Sequence, residues 1–290
     1  MSKAKAYGCI IMAAALWGLI GFFVKHLSAQ GFTPLQITCL RTIAASICIT
    51  PLVAMQGMDK FKIALKDIWM FVGTGIISLS FFNWCYFNCI QRSSLAVAAL
   101  LLYTAPAFVM IMSLFLFGEK FTKEKGIALG MTFVGCACVT GVLTGELNLS
   151  VMGLLYGIGS GIGYACYSIF GKYAIRKYES ITISAYTFYF SFVATLLLSD
   201  FNAEVIAKID MMTILYILGL GIICCLIPYV LYTKGLAEVE AGKASVLATV
   251  EPLVAAIIGV IFFAEPLTMD KIIGMVLIFS AIGVLELKSK

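Results

Sequence analysis

The chain has 290 residues, 62% of them apolar and only 12% charged, and its mean hydropathy is +1.04. Soluble domains run at about 45–50% apolar and about 25% charged, so this composition excludes a soluble globular enzyme and implies a polytopic membrane protein. The net charge of +5 is then no sign of nucleic-acid binding; what matters is where Lys and Arg fall along the chain.

Crossing the hydrocarbon core takes roughly 20 apolar residues. The pattern predicts ten such helices, at about 6–25, 34–56, 68–90, 95–117, 123–143, 151–175, 182–199, 211–234, 244–264 and 269–287. The first has no small-residue cleavage site after it and reads as a retained helix. The connections are short and polar, as at Gly31-Phe32-Thr33-Pro34, Gln91-Arg92-Ser93-Ser94 and Gly145-Glu146-Leu147-Asn148. With the N-terminus in the cytoplasm, fifteen Lys and Arg residues fall on the cytoplasmic side, among them Lys60, Lys125, Arg176, Lys288 and Lys290. Only Lys25, Arg92, Lys208 and Lys271 fall outside. That bias predicts a multi-pass protein of the cytoplasmic membrane with both termini inside. Ten cysteines, most within apolar helices, read as small packing residues. Cys136 and Cys138 have no second pair or His to make a metal site.

The chain repeats. A shift of 146 positions brings Pro106 onto Pro252, Glu119 onto Glu265, Thr122 onto Thr268, Glu124 onto Asp270 and Lys125 onto Lys271. Ala105 faces Glu251, an unmatched acid inside an apolar stretch. The first helices of the halves match weakly, Ala15-Leu16-Trp17-Gly18 against Ala165-Cys166-Tyr167-Ser168. The expected units are residues 1–145 and 146–290, five helices each. An odd helix number makes the second copy enter the membrane from the opposite side, giving inverted repeats with a binding site between them.

These residues carry a resemblance. Ala15-Leu16-Trp17-Gly18, Pro34 and Arg41 in the first two helices, the run from Asn83 through Ala99, Tyr103 and Pro106 to Gly118-Glu119, and then Gly235-Leu236, Ala244, Glu251-Pro252 and Ala264-Glu265 resemble an EamA-type transporter of the drug/metabolite transporter superfamily. The resemblance covers nearly the whole chain. It implies a ten-helix bundle with a central cavity lined by helices one, three, four, six, eight and nine, and export of amino acids or other metabolites.

Glu251 leads the candidate residues. An acid near the centre of a spanning helix costs on the order of 3 kcal/mol on insertion scales. It reads as a proton carrier or as the partner of a cationic substrate group, against the plainer reading of a protonated packing acid. Trp17, Trp84, Tyr86, Tyr103, Tyr164, Tyr167, Tyr229 and Tyr232 lie within helix spans, several away from the interfaces that Trp and Tyr prefer. As a set they suggest an aromatic pocket or a cage for an organic cation, although each alone is more readily bundle packing. Asn83 and Thr249 are polar candidates for orienting a substrate. Pro106, Pro228 and Pro252 each free a carbonyl four residues back and are read as bends that shape the cavity.

Arg41, seven residues beyond Pro34, is expected to snorkel to the outer interface, with a carboxylate-binding role in the outer vestibule as the sharper alternative. Glu119 and Glu265 read as acids at the N-termini of helices five and ten. The glycines Gly157, Gly159, Gly161 and Gly163 imply close helix packing. No cofactor, metal cluster or nucleophile–base pair is evident. The expected partners are a small-molecule substrate, membrane lipid and protons as coupling ion. The leading reading is a secondary transporter exporting amino acids. An importer of a quaternary amine is the rival, and an intramembrane enzyme or scaffold is the alternative outside the class.

Overall fold

A computed structural model describes residues 1–143 and 150–286. The loop at Gly145-Glu146-Leu147-Asn148, the expected boundary at 145/146, the last residue of helix 269–287, and Lys288 and Lys290 lie outside the described residues. The described chain is all-helical. Its long helical runs are α1 (Lys3–Ala29), α2 (Pro34–Gln56), α3 (Leu65–Arg92), α4 (Leu95–Phe117), α5 (Lys123–Thr140), α6 (Val151–Ala174), α7 (Ser180–Leu198), α8 (Met211–Glu238), α9 (Ala241–Phe263) and α10 (Met269–Glu286). A short helix, Ala203–Ala207, precedes α8.

Among the described residues seven runs are long and apolar enough to cross a membrane: α1 to α4 and α7 to α9. The other three fall short for legible reasons. Lys123, Glu124 and Lys125 open α5, and Asp270 and Lys271 open α10. Glycines and tyrosines dilute the hydropathy of α6. The helix starts follow local chemistry. At α2, Thr33 Oγ1 accepts from the Gln36 N–H while Gln36 Oε1 accepts from the Thr33 N–H, closing a capping box. Thr122, Ser150 and Asp210 accept from backbone N–H groups three residues on.

The 146-residue shift recurs in three dimensions. The chain turns between the two halves of α4 at Tyr103–Thr104, and within α9 at Ala248–Thr249. Both breaks precede a proline, Pro106 and Pro252, that occupies the first turn of the following helical piece. The third proline, Pro228, follows a π-helical stretch at Ile222–Leu226, and α3 has its own π-helical stretch at Gly73–Ser80. Wide turns of this kind absorb the backbone mismatch that proline creates. After α4, Gly118 takes φ +66° and the Glu119 N–H reaches the Ser113 carbonyl at 3.3 Å. After α9, Ala264 takes φ +52° and the Glu265 N–H reaches the Gly259 carbonyl at 3.2 Å.

Helices pair across the halves: α1 with α8, α3 with α6, α2 with α7, α4 with α9, and α5 with α10. Exchanging α1–α5 with α6–α10 turns α1–α8 into α6–α3 and leaves the other three pairs unchanged, as a two-fold relation requires. Small polar side chains bridge some of these contacts, Thr74 with Thr187 at 2.7 Å and Ser80 with Ser191 at 3.0 Å. The glycines of α6 allow two close approaches. A Cβ on Gly161 would lie 2.6 Å from Thr104 Oγ1 and 3.0 Å from the Leu101 carbonyl. One on Gly163 would lie 2.9 Å from Phe82 Cβ.

Candidate functional site

Close packing also brings α1 against α9 at the level of Glu251. A Cβ on Gly18 would meet Val254 Cβ at 2.6 Å and the Glu251 carbonyl at 2.8 Å. Only glycine lets the two backbones approach this far, and it sets Trp17 beside the acid. Tyr164, on α6, donates its hydroxyl to Glu251 Oε2 at 2.9 Å. Trp17 packs on Tyr164 (6.2 Å between centroids), Tyr229 (5.3 Å) and Tyr232 (5.3 Å). Tyr167 meets Tyr229 edge-on at 4.9 Å, and Phe82 does the same to Tyr164 at 5.7 Å. Tyr86 and Tyr103 complete the surroundings, both within electrostatic reach of Glu251.

Glu251, Tyr164, Tyr103 and Tyr86 are partly accessible, although they sit in the middle of the bundle beside the fully packed core. They therefore border interior space and are not sealed into packing. Unsatisfied polar atoms face the same region. Among the described residues, the hydroxyls of Tyr86, Tyr103 and Tyr229 and the indole N–H of Trp17 have no hydrogen-bond partner. Tyr167 and Tyr232 differ, bonded to Thr233 and Ser168 at 2.7 Å each. They hold the shape of the cluster, and since Thr233 gives its own hydrogen to the Tyr229 carbonyl, the Tyr167 hydroxyl hydrogen is already taken.

The remaining predicted residues lie apart from this group. Trp84 is 38% exposed on the outer face of α3, edge-on to Tyr156 at 5.4 Å. Asn83 and Thr249 are buried, but their side chains donate to carbonyls of their own helices, Leu79 and Val246, at 2.5 Å each. Two expectations need correction. Arg41 does not snorkel: it is 5% exposed, on a helix packed against α8, and lies within electrostatic reach of Cys224, Cys225 and Tyr229. The buried stripe Ile37, Thr38, Arg41, Ala44, Ala45 at helical spacing was the signal for this. Glu119 does not serve the start of α5. It accepts the N–H groups of Ala241 (2.7 Å) and Gly242 (3.1 Å) at the start of α9. Lys125, almost fully buried, lies 3.0 Å from Glu240 and 3.8 Å from Glu119. Phe82 was missed, because nothing in sequence separates it from the other aromatics of α3. A surface cavity of about 460 Å³ lies beside Glu119, Lys125 and Glu240, at a helix end and away from Glu251.

The EamA-like transporter family model matches residues 4–141 and again 151–287, once in each half. The chain belongs to the EamA-like transporter family. An "Uncharacterized transporter" of Archaeoglobus fulgidus is 29% identical over 97% of this chain and 96% of its own length. The "Uncharacterized inner membrane transporter YicL" of Salmonella typhimurium is 25% identical over all of this chain and 97% of its own. The "Uncharacterized transporter YxxF" of Bacillus subtilis is 22% identical over 97% and 90%. A solved structure, described as "Crystal structure of protein", matches with a TM-score of 0.82 at 18% identity, over 99% of this chain and 98% of its own. This EamA protein is thus a membrane transporter, embedded in lipid and handling small molecules. The cluster around Glu251 is assembled from α1, α3, α4, α6, α8 and α9, which come from both matched halves.

Proposed function

We propose that this EamA protein is a secondary active transporter that exports small metabolites, amino acids foremost, across the cytoplasmic membrane. Its units, residues 1–145 and 146–290, form inverted five-helix repeats spanning the bilayer ten times with both termini in the cytoplasm. The solute binds between them among Trp17, Tyr86, Tyr103, Tyr164 and Tyr229. Glu251 carries the coupling proton or receives the ammonium of the substrate. The observation that carries this reading is the contact of Tyr164 with Glu251 inside an aromatic cluster contributed by both halves.

Alternating access has its own support. Glu119 and Lys125 tie α4, α5 and α9 together at the end assigned to the cytoplasm. At the other end Glu265 is half exposed and, among the described residues, pairs only with Lys271, at 2.9 Å. By the 146-residue shift, its partners in the opposite state are the N–H groups of Leu95 and Ala96 at the start of α4. One end is latched while its equivalent is open.

The test is solute uptake and counterflow in proteoliposomes, with and without a pH gradient, comparing wild type with Glu251→Gln. Proton-coupled movement of an amino acid that loses its response to the gradient in Glu251→Gln supports the proposal. Unchanged coupling removes Glu251 from it. Glu251-dependent uptake of a quaternary amine, which the aromatic ring cluster favours, replaces export with cation import.

A further inference from the structure

Arg41 lies at membrane depth in α2, 95% buried, with no carboxylate within ion-pair distance among the described residues. Its Nε is fully enclosed and has no hydrogen-bond partner, and no other atom of its guanidinium makes a hydrogen bond to a described residue. A buried cation is ordinarily paired or bonded to carbonyls. Arg41 is held against α8. Its own backbone presses on α8, where a Cβ on Gly221 would lie 3.1 Å from the Arg41 carbonyl. The same α8 brings up the Tyr229 hydroxyl, also without a partner, and Tyr229 leans on Trp17 at 5.3 Å. Trp17 leans in turn on Tyr164, which holds Glu251. The two intramembrane charges are within reach of each other's field.

We propose that Arg41, with Tyr229, is the anion-holding subsite of the cavity, and that the transported solute is a small zwitterion laid across Trp17 with its carboxylate on Arg41 and its ammonium toward Glu251. This rests on the reading that the Glu251 cavity takes the solute. A guanidinium fork matches a carboxylate with two parallel hydrogen bonds and stays charged at every relevant pH, as the role requires. It also accounts for the missing counter-ion: the substrate supplies it. A simple organic cation would leave Arg41 unpaired and add a second positive charge to the cavity.

The test uses full-length protein purified in detergent, with ligand binding read by thermal stabilisation and titration calorimetry. The probes are phenylalanine, leucine and lysine, the amine that each leaves on loss of its carboxylate, and 3-phenylpropanoate. At least one amino acid is expected to bind wild type roughly tenfold or more tightly than its amine, since a site built for a polar group rejects the analogue lacking it. Arg41→Gln should erase that preference, and Arg41→Lys should keep it with weaker binding; both are checked for monodispersity. An amine that binds wild type as well as its parent acid overturns the proposal, as does a panel in which no carboxylate-bearing compound binds. A preference that survives in Arg41→Gln overturns it too, while leaving the Glu251 reading in place. Binding that depends on Arg41 and is untouched by Glu251→Gln does the reverse.

Discussion

Glu119 and Glu265 occupy equivalent places in the two halves and have opposite surroundings. Glu119 is almost buried and takes two backbone N–H groups of α9, while Glu265 is half exposed and, among the described residues, takes only Lys271. Glu119→Ala should destabilise the purified protein by about 1–3 kcal/mol, because two N–H groups and Lys125 lose a charged partner. It should also raise labelling of a cysteine placed near Ser245 by a membrane-impermeant thiol reagent. Glu265→Ala should leave thermal stability within about 0.5 kcal/mol, as expected for an exposed pair.

Ala264 stands where the first half has Gly118, and it keeps the left-handed turn at φ +52°. That conformation costs an L-residue about 1–2 kcal/mol. Ala264→Gly should therefore raise the melting temperature, by up to about 1 kcal/mol of stability after the added freedom of glycine in the unfolded chain is deducted. Gly118→Ala should lower it by a similar amount. Thermal unfolding in detergent distinguishes the two.

Gly161 supplies a packing test. A valine there meets Thr104 Oγ1 and the Leu101 carbonyl, neither of which can retreat far. The expected cost is about 1–3 kcal/mol, seen as loss of monodisperse protein on gel filtration. Gly8→Ala is the control, because nothing lies within 4 Å of its Cβ.

Tyr164→Phe retains the ring contacts with Trp17 and Phe82 and removes only the donor to Glu251. Uptake at saturating solute should fall by about tenfold or more, the worth of a hydrogen bond to a charged group. Unchanged transport would show that this bond has no part in the cycle.

Asp210 gives a pH test outside the membrane. Its carboxylate accepts from the Thr213 hydroxyl and N–H, both at 2.7 Å, and these bonds hold it below the usual carboxylate range. A depressed folded-state value adds stability above the unfolded value of about 4, lost as pH falls through the folded one. The gap in melting temperature between wild type and Asp210→Ala should be full at pH 7 and shrink below about pH 4.

Sequence alone established that this is a helical membrane protein, because desolvating a backbone in lipid leaves few alternatives to a helix, and the residue matches at a shift of 146 positions showed its repeat. The lone acid at Glu251 was legible because its cost does not depend on its neighbours. Only the tertiary structure decided which way each side chain faces. A helix position fixes depth and leaves the azimuth open, so Trp84 turned outward, Arg41 turned inward, and Asn83 and Thr249 spent their hydrogen bonds on their own helices. The partner of Glu119 lies more than a hundred residues away. That contact, like the gathering of Trp17, Tyr164, Tyr229 and Glu251, exists only once the two halves are packed together.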